Sequence, residues 1–196
     1  MNKPAGVVTT RSDELGRKTV YDLLGEQGKW IFPVGRLDKE TTGLLLLTND
    51  HRLGEQLTNP ASRIPKCYRV ELDKTLTEGE RNEIEGGLLV DDEQLLPATV
   101  TPVGDKLQST QIDVTIYEGK NRQIRRMFES FGHTVLSLER ISIGELHLGN
   151  LEIGKVRELT IAEMKSLTVS SDTSQDREAN EKLKRDKEKL IIKEKK

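Results

Sequence analysis

The chain alternates between short strand patterns and short helical patterns. Residues 66–72 and 111–117 alternate polar and apolar side chains, which is typical of half-buried strands, and residues 98–103 predict a hairpin partner for the second of these. The clearest helix is predicted over residues 121–131, with its apolar residues on one face and a glycine directly after it. The same patterns predict strands at residues 7–10, 44–48, 135–148 and 156–159, and helices at residues 19–24, 50–57, 77–86 and 161–167.

This order of elements predicts an α+β fold: a mixed, mostly antiparallel sheet with helices packed on it. The strands come in groups joined by hairpins, and the helices fall between groups without strict β-α-β alternation, which argues against a doubly wound fold. We expect residues 1–169 to form the globular part, as one domain or two subdomains. After residue 169 the sequence becomes linker-like and then rich in Lys and Glu, so residues 170–196 are predicted to be a disordered or frayed charged tail.

Composition narrows the classes of function. The formal net charge is −2, so binding to a nucleic acid would need a local basic face rather than bulk charge. Cys67 is the single cysteine, which excludes an internal disulfide and favours a reducing, cytoplasmic compartment. No apolar run is long enough to cross a bilayer, and the three histidines are too scattered to propose a metal site, so neither a membrane nor a metal is expected.

A glycine-bounded segment at residues 35–43 carries an arginine and an aspartate two positions apart, Arg36 and Asp38. It precedes four consecutive leucines, which predict a buried strand over residues 44–48. Buried strands are rigid supports, and the loops they hold often carry functional groups. A carboxylate beside cations stays ionised and can act as a nucleophile. The alternative is a surface Arg–Asp pair on an ordinary turn, and local chemistry alone does not choose between them.

A basic segment at residues 118–127 places Lys120, Arg122, Arg125 and Arg126 around the start of the predicted helix. Free N–H groups at a helix start favour anions, and added cations suit phosphates. Positive charge at that end is locally unfavourable, so we expect a compensating anion, either a ligand or a buried carboxylate. Arg125 adjoins the core-facing stripe and is expected to have a carboxylate partner. A solvated basic helix face is the alternative.

Five segments together carry a resemblance to a known family: residues 2–6, 35–38, 42–50, 66–70 and 118–127. In this order they resemble the RNA pseudouridine synthases, closest to the branch that modifies single uridines in ribosomal RNA. The likeness extends from residue 2 to about residue 160. A lone Arg–Asp loop would be a weak signal, whereas the first and last of these segments together are specific.

The resemblance implies a role for each matching residue. Asp38 would be the nucleophile, and Arg125 would pair with it. Tyr68 would pack against the flipped uracil and take part in proton removal. Arg36 would enter the RNA stack where the uridine has left, and Ile124 would line the pocket. These roles suit the chemistry, because a stacked base must be extruded before its glycosidic bond can be broken and remade through C5.

The implied substrate is folded ribosomal RNA, held by phosphate contacts. The resemblance assigns substrate binding to Lys120, Asn121, Arg122 and Arg126 as well. Aromatic residues make up only 4% of the chain, which disfavours a stacking platform for single-stranded RNA. The implied reaction needs no cofactor and no metal, and the protein is expected to be a monomer.

One departure from the family concerns the start of the chain. Many members carry a small RNA-binding domain in front of the catalytic one, and this sequence shows no such domain before residues 2–6. The strand that would lead into residues 2–6 is also absent from the sequence. We therefore expect a truncated start or a lost edge strand. The missing leading domain favours a large-subunit (23S) target over a 16S target.

Two other classes of function remain open from the sequence. A non-catalytic RNA-binding or ribosome-assembly factor would not need the Asp38 carboxylate. The presence of Asp38 together with Arg36, Tyr68 and Arg125 therefore speaks against this class. An N-glycoside hydrolase would need a second positioned acid, and no residue suggests itself. The sequence leaves open whether Asp38 attacks C1′ directly or the reaction passes through a glycal.

Overall fold

A computed structural model describes residues 1–104 and 109–169, so the predicted tail at 170–196 lies outside the described residues. Their strands are β1 (Asn2–Lys3), β2 (Phe32–Pro33), β3 (Thr42–Leu44), β4 (Leu47–Thr48), β5 (Lys66–Leu72), β6 (Leu89–Val90), β7 (Glu93–Gln94), β8 (Thr99–Pro102), β9 (Gln111–Ile116), β10 (Val135–Ile143) and β11 (Leu146–His147). Their helices are α1 (Val20–Leu24), α2 (His51–Thr58), α3 (Glu78–Gly86), α4 (Gln123–Glu129) and α5 (Ile161–Val169), with 3₁₀ turns at Gly25–Lys29 and Pro60–Ser62.

A seven-stranded sheet forms the centre of the described structure. Its order is β1-β3-β10-β5-β9-β8, and β11 pairs with β10. The β3–β10 pair is parallel, and every other pair in this sheet is antiparallel. Two small ribbons, β2–β4 and β6–β7, lie beside it. The prediction of a mixed, mostly antiparallel sheet with helices is therefore confirmed.

Two hydrophobic clusters stabilise the fold. The larger one joins the inward side chains of β5, β8 and β9 to α1, α3 and α4. The smaller one joins α2, β11 and α5 to the region around β3. Since alternate residues of a strand face opposite sides, β5 presents Tyr68 to the larger cluster and leaves Cys67 and Arg69 on the other face, as its pattern predicts.

Two of the predicted helices begin at side-chain caps. Thr19 and Asp22 form a capping box at α1, and Thr77 and Glu80 form another at α3. Helix α4 is shorter than the predicted 121–131, because Arg122 adopts a left-handed backbone with φ of 46° and the helix begins only after it.

Three strand predictions are wrong. Residues 7–10 make only a single bridge, Val8 with Thr19. Residues 156–159 form no strand, because no described strand pairs with them; the first three are exposed, and Arg157 is held by Glu163 of α5 at 2.6 Å.

The predicted strand at 44–48 is also wrong as one element, because the four leucines pass between two sheets. Leu44 ends β3 and Leu47 begins β4. Leu45 packs in the larger cluster, whereas Leu44 and Leu46 pack in the smaller one. The apolar run therefore fills both clusters.

Candidate active site

The loop that carries Asp38 connects β2 to β3 and is fixed from its N-terminal side by Thr9. The Thr9 hydroxyl donates to the carbonyl of Leu37 at 2.9 Å and accepts the Leu37 N–H at 3.3 Å. The Leu37 side chain is buried in the larger cluster. The Asp38 carbonyl accepts the N–H of Thr41 at 3.1 Å, and its side chain is half-buried. Asp38 is therefore held by backbone contacts on both sides.

Lys3 fixes the other end of the same loop, and its relative exposure is 0%. Its Nζ donates to the carbonyls of Pro4, Lys39 and Thr41 at 2.9, 3.2 and 2.8 Å. Burial lowers the pKa of Lys3 to about 8, against the opposing effect of the nearby Glu40 and Asp38 carboxylates. The sequence analysis assigned Lys3 no role of its own, since only the fold shows that its donors are used up by this loop.

Lys3→Met should change how stability depends on pH. The pKa of Lys3 is about 8 in the folded protein against an ordinary value of 10.5, so between these values the unfolded chain binds more protons. The cost of burying the charge is fully present below about pH 8 and fades as the pH rises to about 10.5. We expect wild type to gain up to about 3 kcal/mol in free energy of unfolding, relative to Lys3→Met, across that range.

Urea denaturation of both proteins at several pH values measures this difference. Every other titrating group is common to the two proteins. A difference in the free energy of unfolding that changes with pH is therefore assigned to Lys3. Curves that stay parallel from neutral to alkaline pH would contradict the low pKa of Lys3.

Helix α4 brings two of the predicted residues, Ile124 and Arg125, to the buried side of the structure, where both are less than 10% exposed. Arg125 Nη1 donates to the carbonyl of Val135 at 3.4 Å, and its Nε is buried with no hydrogen-bond partner. Burial lowers the pKa of Arg125, Arg122 lowers it further, and the Asp38 charge raises it.

The expected Asp38–Arg125 pair is not a direct ion pair in the described structure. Among the described residues Arg125 has no direct ion pair with Asp38, although the two charges interact through space. Arg125 keeps an unused donor in a buried position, which is costly unless a ligand satisfies it.

Tyr68 lies in the middle of β5 and is 9% exposed. It packs in the same hydrophobic cluster as Leu37 and Ile124, the neighbours of Asp38 and Arg125 in the chain. Its hydroxyl accepts a long hydrogen bond of 3.5 Å from Arg140 Nη1. One hydrophobic cluster thus includes Tyr68 and the chain neighbours of Asp38 and Arg125.

The basic segment has its compensating carboxylate within the protein. Glu118 is 6% exposed, and its Oε1 accepts from Gln123 Nε2 and the Leu96 N–H, each at 2.8 Å. Its other oxygen lies 3.7 Å from Lys120 Nζ. Of the two alternatives left open by the sequence, a ligand or a buried carboxylate, the structure provides the second.

The remaining predicted binding residues differ in how free they are. Arg126 is held by Glu93 at 2.5 Å and by the Asn121 carbonyl at 2.9 Å. Arg122 is exposed and lies 3.6 Å from Glu129, and Arg36 is exposed on the Asp38 loop. Arg36 and Arg122 can therefore reach a ligand without leaving a buried position.

Two hollows in the described structure lie away from these residues. A cavity of about 550 Å³ contains Arg69 and Glu139, and one of about 680 Å³ lies between the leucines of residues 44–47 and the segment before α5. Neither is lined by Asp38 or Tyr68.

Among the described residues, no helix has the length and apolar character to cross a bilayer, and no group of three His, Cys, Asp or Glu side chains is arranged to hold a metal.

Comparison with known proteins identifies a family. The sequence profile described as RNA pseudouridylate synthase matches residues 1–130. Ribosomal large subunit pseudouridine synthase B of Bacillus subtilis is 38% identical, over 87% of this chain and 70% of that protein. Ribosomal large subunit pseudouridine synthase E of Vibrio parahaemolyticus is 34% identical, over 82% of this chain and 72% of that protein.

A solved structure agrees with the sequence comparison. A crystal structure of pseudouridylate synthase superimposes with a TM-score of 0.78 at 33% identity, covering 85% of this chain and 71% of that one. The profile match, the two relatives and the shared fold all agree, so the chain belongs to the RNA pseudouridylate synthase family and is an RNA pseudouridine synthase, an isomerase.

Proposed function

We propose that this enzyme converts one specific uridine of ribosomal RNA to pseudouridine, with Asp38 as the nucleophile. The names of the Bacillus and Vibrio relatives support a ribosomal RNA substrate of the large subunit. The observation that carries the proposal is the placement of Asp38: Thr9 and Lys3 hold its loop from both ends, and the buried Arg125 interacts with its charge.

The chemistry requires a fixed carboxylate near the ribose. The N1–C1′ bond of uridine breaks and N1 keeps the electron pair, the uracil turns, and a C5–C1′ bond forms. The proton on C5 then leaves and N1 takes up a proton, so the product is an isomer of the substrate. Asp38 stabilises the electron-poor sugar in between, either by attack at C1′ or on a route through a glycal, as one carboxylate does in retaining glycosidases. Asp38 can serve this step only if the target base has first left its stack.

The other residues of the site act on the flipped base. Tyr68 packs against the uracil and takes part in removing the C5 proton, and Ile124 lines the pocket beside it. Arg125 supplies its unused Nε donor and balances the charge of Asp38. Arg36 fills the gap that the base leaves in the RNA stack.

Contacts with the RNA backbone come from the basic segment. Arg122 is exposed and meets phosphates directly, with Asn121 beside it. Lys120 and Arg126 are held by Glu93 and by the neighbouring backbone, so they present an ordered basic surface instead of flexible charges. Ordered phosphate contacts fix the register of the RNA, while the pocket selects the base.

We further propose a monomeric, cytoplasmic enzyme, with residues 1–169 as the catalytic domain. A non-catalytic RNA-binding or assembly factor is the second candidate. It is disfavoured because binding alone would not require a half-buried carboxylate on a loop whose backbone is held by a fully buried lysine.

Tritium release tests the proposal. Uracil labelled at C5 loses its tritium to water when the new bond forms at that carbon. We expect the intact protein to release tritium from ribosomal RNA transcripts that lack other modifications, and the released amount to approach one equivalent per target site. Mapping of pseudouridines in a strain without this gene identifies the uridine. Binding of ribosomal RNA without any tritium release would support the non-catalytic factor.

A further inference from the structure

A second buried arginine lies beside the proposed catalytic tyrosine. Arg140 is in β10, directly opposite Tyr68 of β5 and Gly43 of β3. Cross-strand neighbours share one face of a sheet, so Arg140 is on the same side as Tyr68. Its relative exposure is 4%, and its guanidinium carbon lies 5.9 Å from the centre of the Tyr68 ring.

The donors of Arg140 are only partly used. Nε donates to the carbonyl of Leu44 at 2.7 Å, and Nη1 donates to the Tyr68 hydroxyl at 3.5 Å. Nη2 is buried and has no hydrogen-bond partner in the described structure. Within the described residues Arg140 also has no ion pair with any carboxylate.

This arrangement is costly for a residue that only joins two strands. A buried guanidinium without a carboxylate loses its hydration and regains little, whereas an apolar side chain of similar length would fill the same space. The bond to the Leu44 carbonyl uses one donor and leaves the charge uncompensated. A neutral residue could pack there at lower cost, so the positive charge points to a second role.

The chemistry of the contact constrains Tyr68. Arginine has donors and no acceptor, so the Tyr68 oxygen must accept from Arg140. The O–H proton of Tyr68 then points away from Arg140 and is available to another partner. Catalytic hydrogen bonds are often long in the unliganded state and shorten when substrate binds, which fits the distance of 3.5 Å.

We infer that Arg140 is a positioning residue of the isomerase: its guanidinium fixes the orientation of the Tyr68 hydroxyl toward the flipped uracil. This inference rests on the proposed function, because the orientation matters only if Tyr68 contacts the base. Arg140 itself touches neither Asp38 nor the reacting atoms. It also ties Tyr68 to Leu44, six residues after Asp38, so the strand after the nucleophile loop and the tyrosine are fixed relative to each other.

A double-mutant cycle tests the inference. Single-turnover rates of tritium release are measured for wild type, Arg140→Met, Tyr68→Phe and the double variant. Misplacement of a reacting group typically costs on the order of 100-fold, so we expect a loss of about that size for Arg140→Met. In the Tyr68→Phe background the same change should have little further effect, because the hydroxyl that Arg140 orients is already gone.

Conservative replacement gives a second readout that does not depend on the phenylalanine variant. Lysine and methionine are both unbranched, but only lysine keeps a cation beside Tyr68. We expect Arg140→Lys to be at least about tenfold faster than Arg140→Met, with similar KM for the RNA. Arg69→Met is the matched control, since Arg69 directly follows Tyr68 but lies on the other face, paired with Asp113 at 3.0 Å. It should keep the wild-type rate.

Several results would overturn the inference. They are equal losses from Arg140→Met in both backgrounds, equal rates for the lysine and methionine variants, or a wild-type rate for Tyr68→Phe. If wild type forms pseudouridine and the rate depends on Asp38, either of the first two results removes the role of Arg140 and leaves the proposed function standing. A wild-type rate for Tyr68→Phe removes the role of Arg140 and also the part of Tyr68 in proton removal, while Asp38 keeps its role. If wild type forms none, the proposed function fails and the inference falls with it.

Discussion

Asp38→Asn should reduce pseudouridine formation by at least about 10⁴-fold while the protein still folds and binds RNA. An amide is nearly the same size as a carboxylate but is neutral and a poor nucleophile, and removal of a covalent nucleophile typically costs this much or more. The loop itself should persist, because Thr9 and Lys3 hold its backbone and do not bond the Asp38 side chain. Single-turnover assays, RNA binding and thermal unfolding separate these effects.

Glu40→Gln is the matched control for this experiment. It removes the same charge from the same loop, and Glu40 also acts on Lys3 and Arg125 through space. Glu40 is exposed, and its ion pair in the described part of the chain is with Lys39 at 3.5 Å, so its loss should change the rate by less than about tenfold. Equal losses from the two variants would indicate a general effect of negative charge, and Asp38 would no longer be the nucleophile.

Local signals predicted the parts of the fold that depend on neighbouring residues. The helices predicted from residues 19 and 77 begin there in the structure, because each starts at a capping box, which involves residues only three positions apart. The alternation in β5 predicted which side chains face inward, including Tyr68. Such features need no knowledge of the rest of the chain.

The errors arose where tertiary partners decide the structure. The leucines at 44–47 indicate burial correctly, but the pattern cannot show that Leu45 belongs to one cluster and Leu46 to another. Residues 7–10 have strand-forming side chains but make only a single bridge, Val8 with Thr19. Propensity indicates that a segment can be a strand and does not supply its partner.

The same distinction applies to the site. Residue types and the family resemblance named Asp38, Tyr68 and Arg125, and one hydrophobic cluster includes Tyr68 and the chain neighbours of the other two. The resemblance did not show that the Asp38–Arg125 interaction acts without direct contact. Lys3 and Arg140 were missed as individual site residues, because their importance lies in buried hydrogen bonds to residues 36 to 96 positions away.

Gly43→Ala should cause the largest loss of stability among single-methyl additions near the site. Gly43 has φ of 96°, and a Cβ built there would lie 2.4 Å from the carbonyl oxygen and 2.8 Å from the nitrogen of Arg140. Both are backbone atoms of the central strand β10, so neither can turn aside. Left-handed strain and overpacking each cost about 1–3 kcal/mol, which gives an expected loss of about 3 kcal/mol or more.

Gly149→Ala separates the two causes, because Gly149 also has a positive φ, 60°, but nothing lies within 4 Å of its would-be Cβ. Gly149→Ala should lose only the stability that left-handed backbone strain costs. For a chain of this size each kcal/mol shifts the unfolding midpoint by roughly 2–4 °C, so Gly43→Ala should melt several degrees below Gly149→Ala in differential scanning calorimetry. Equal midpoints would mean that β3 and β10 can move apart at low cost. In that case the close contact between these strands would not fix the position of the Asp38 loop relative to Arg140.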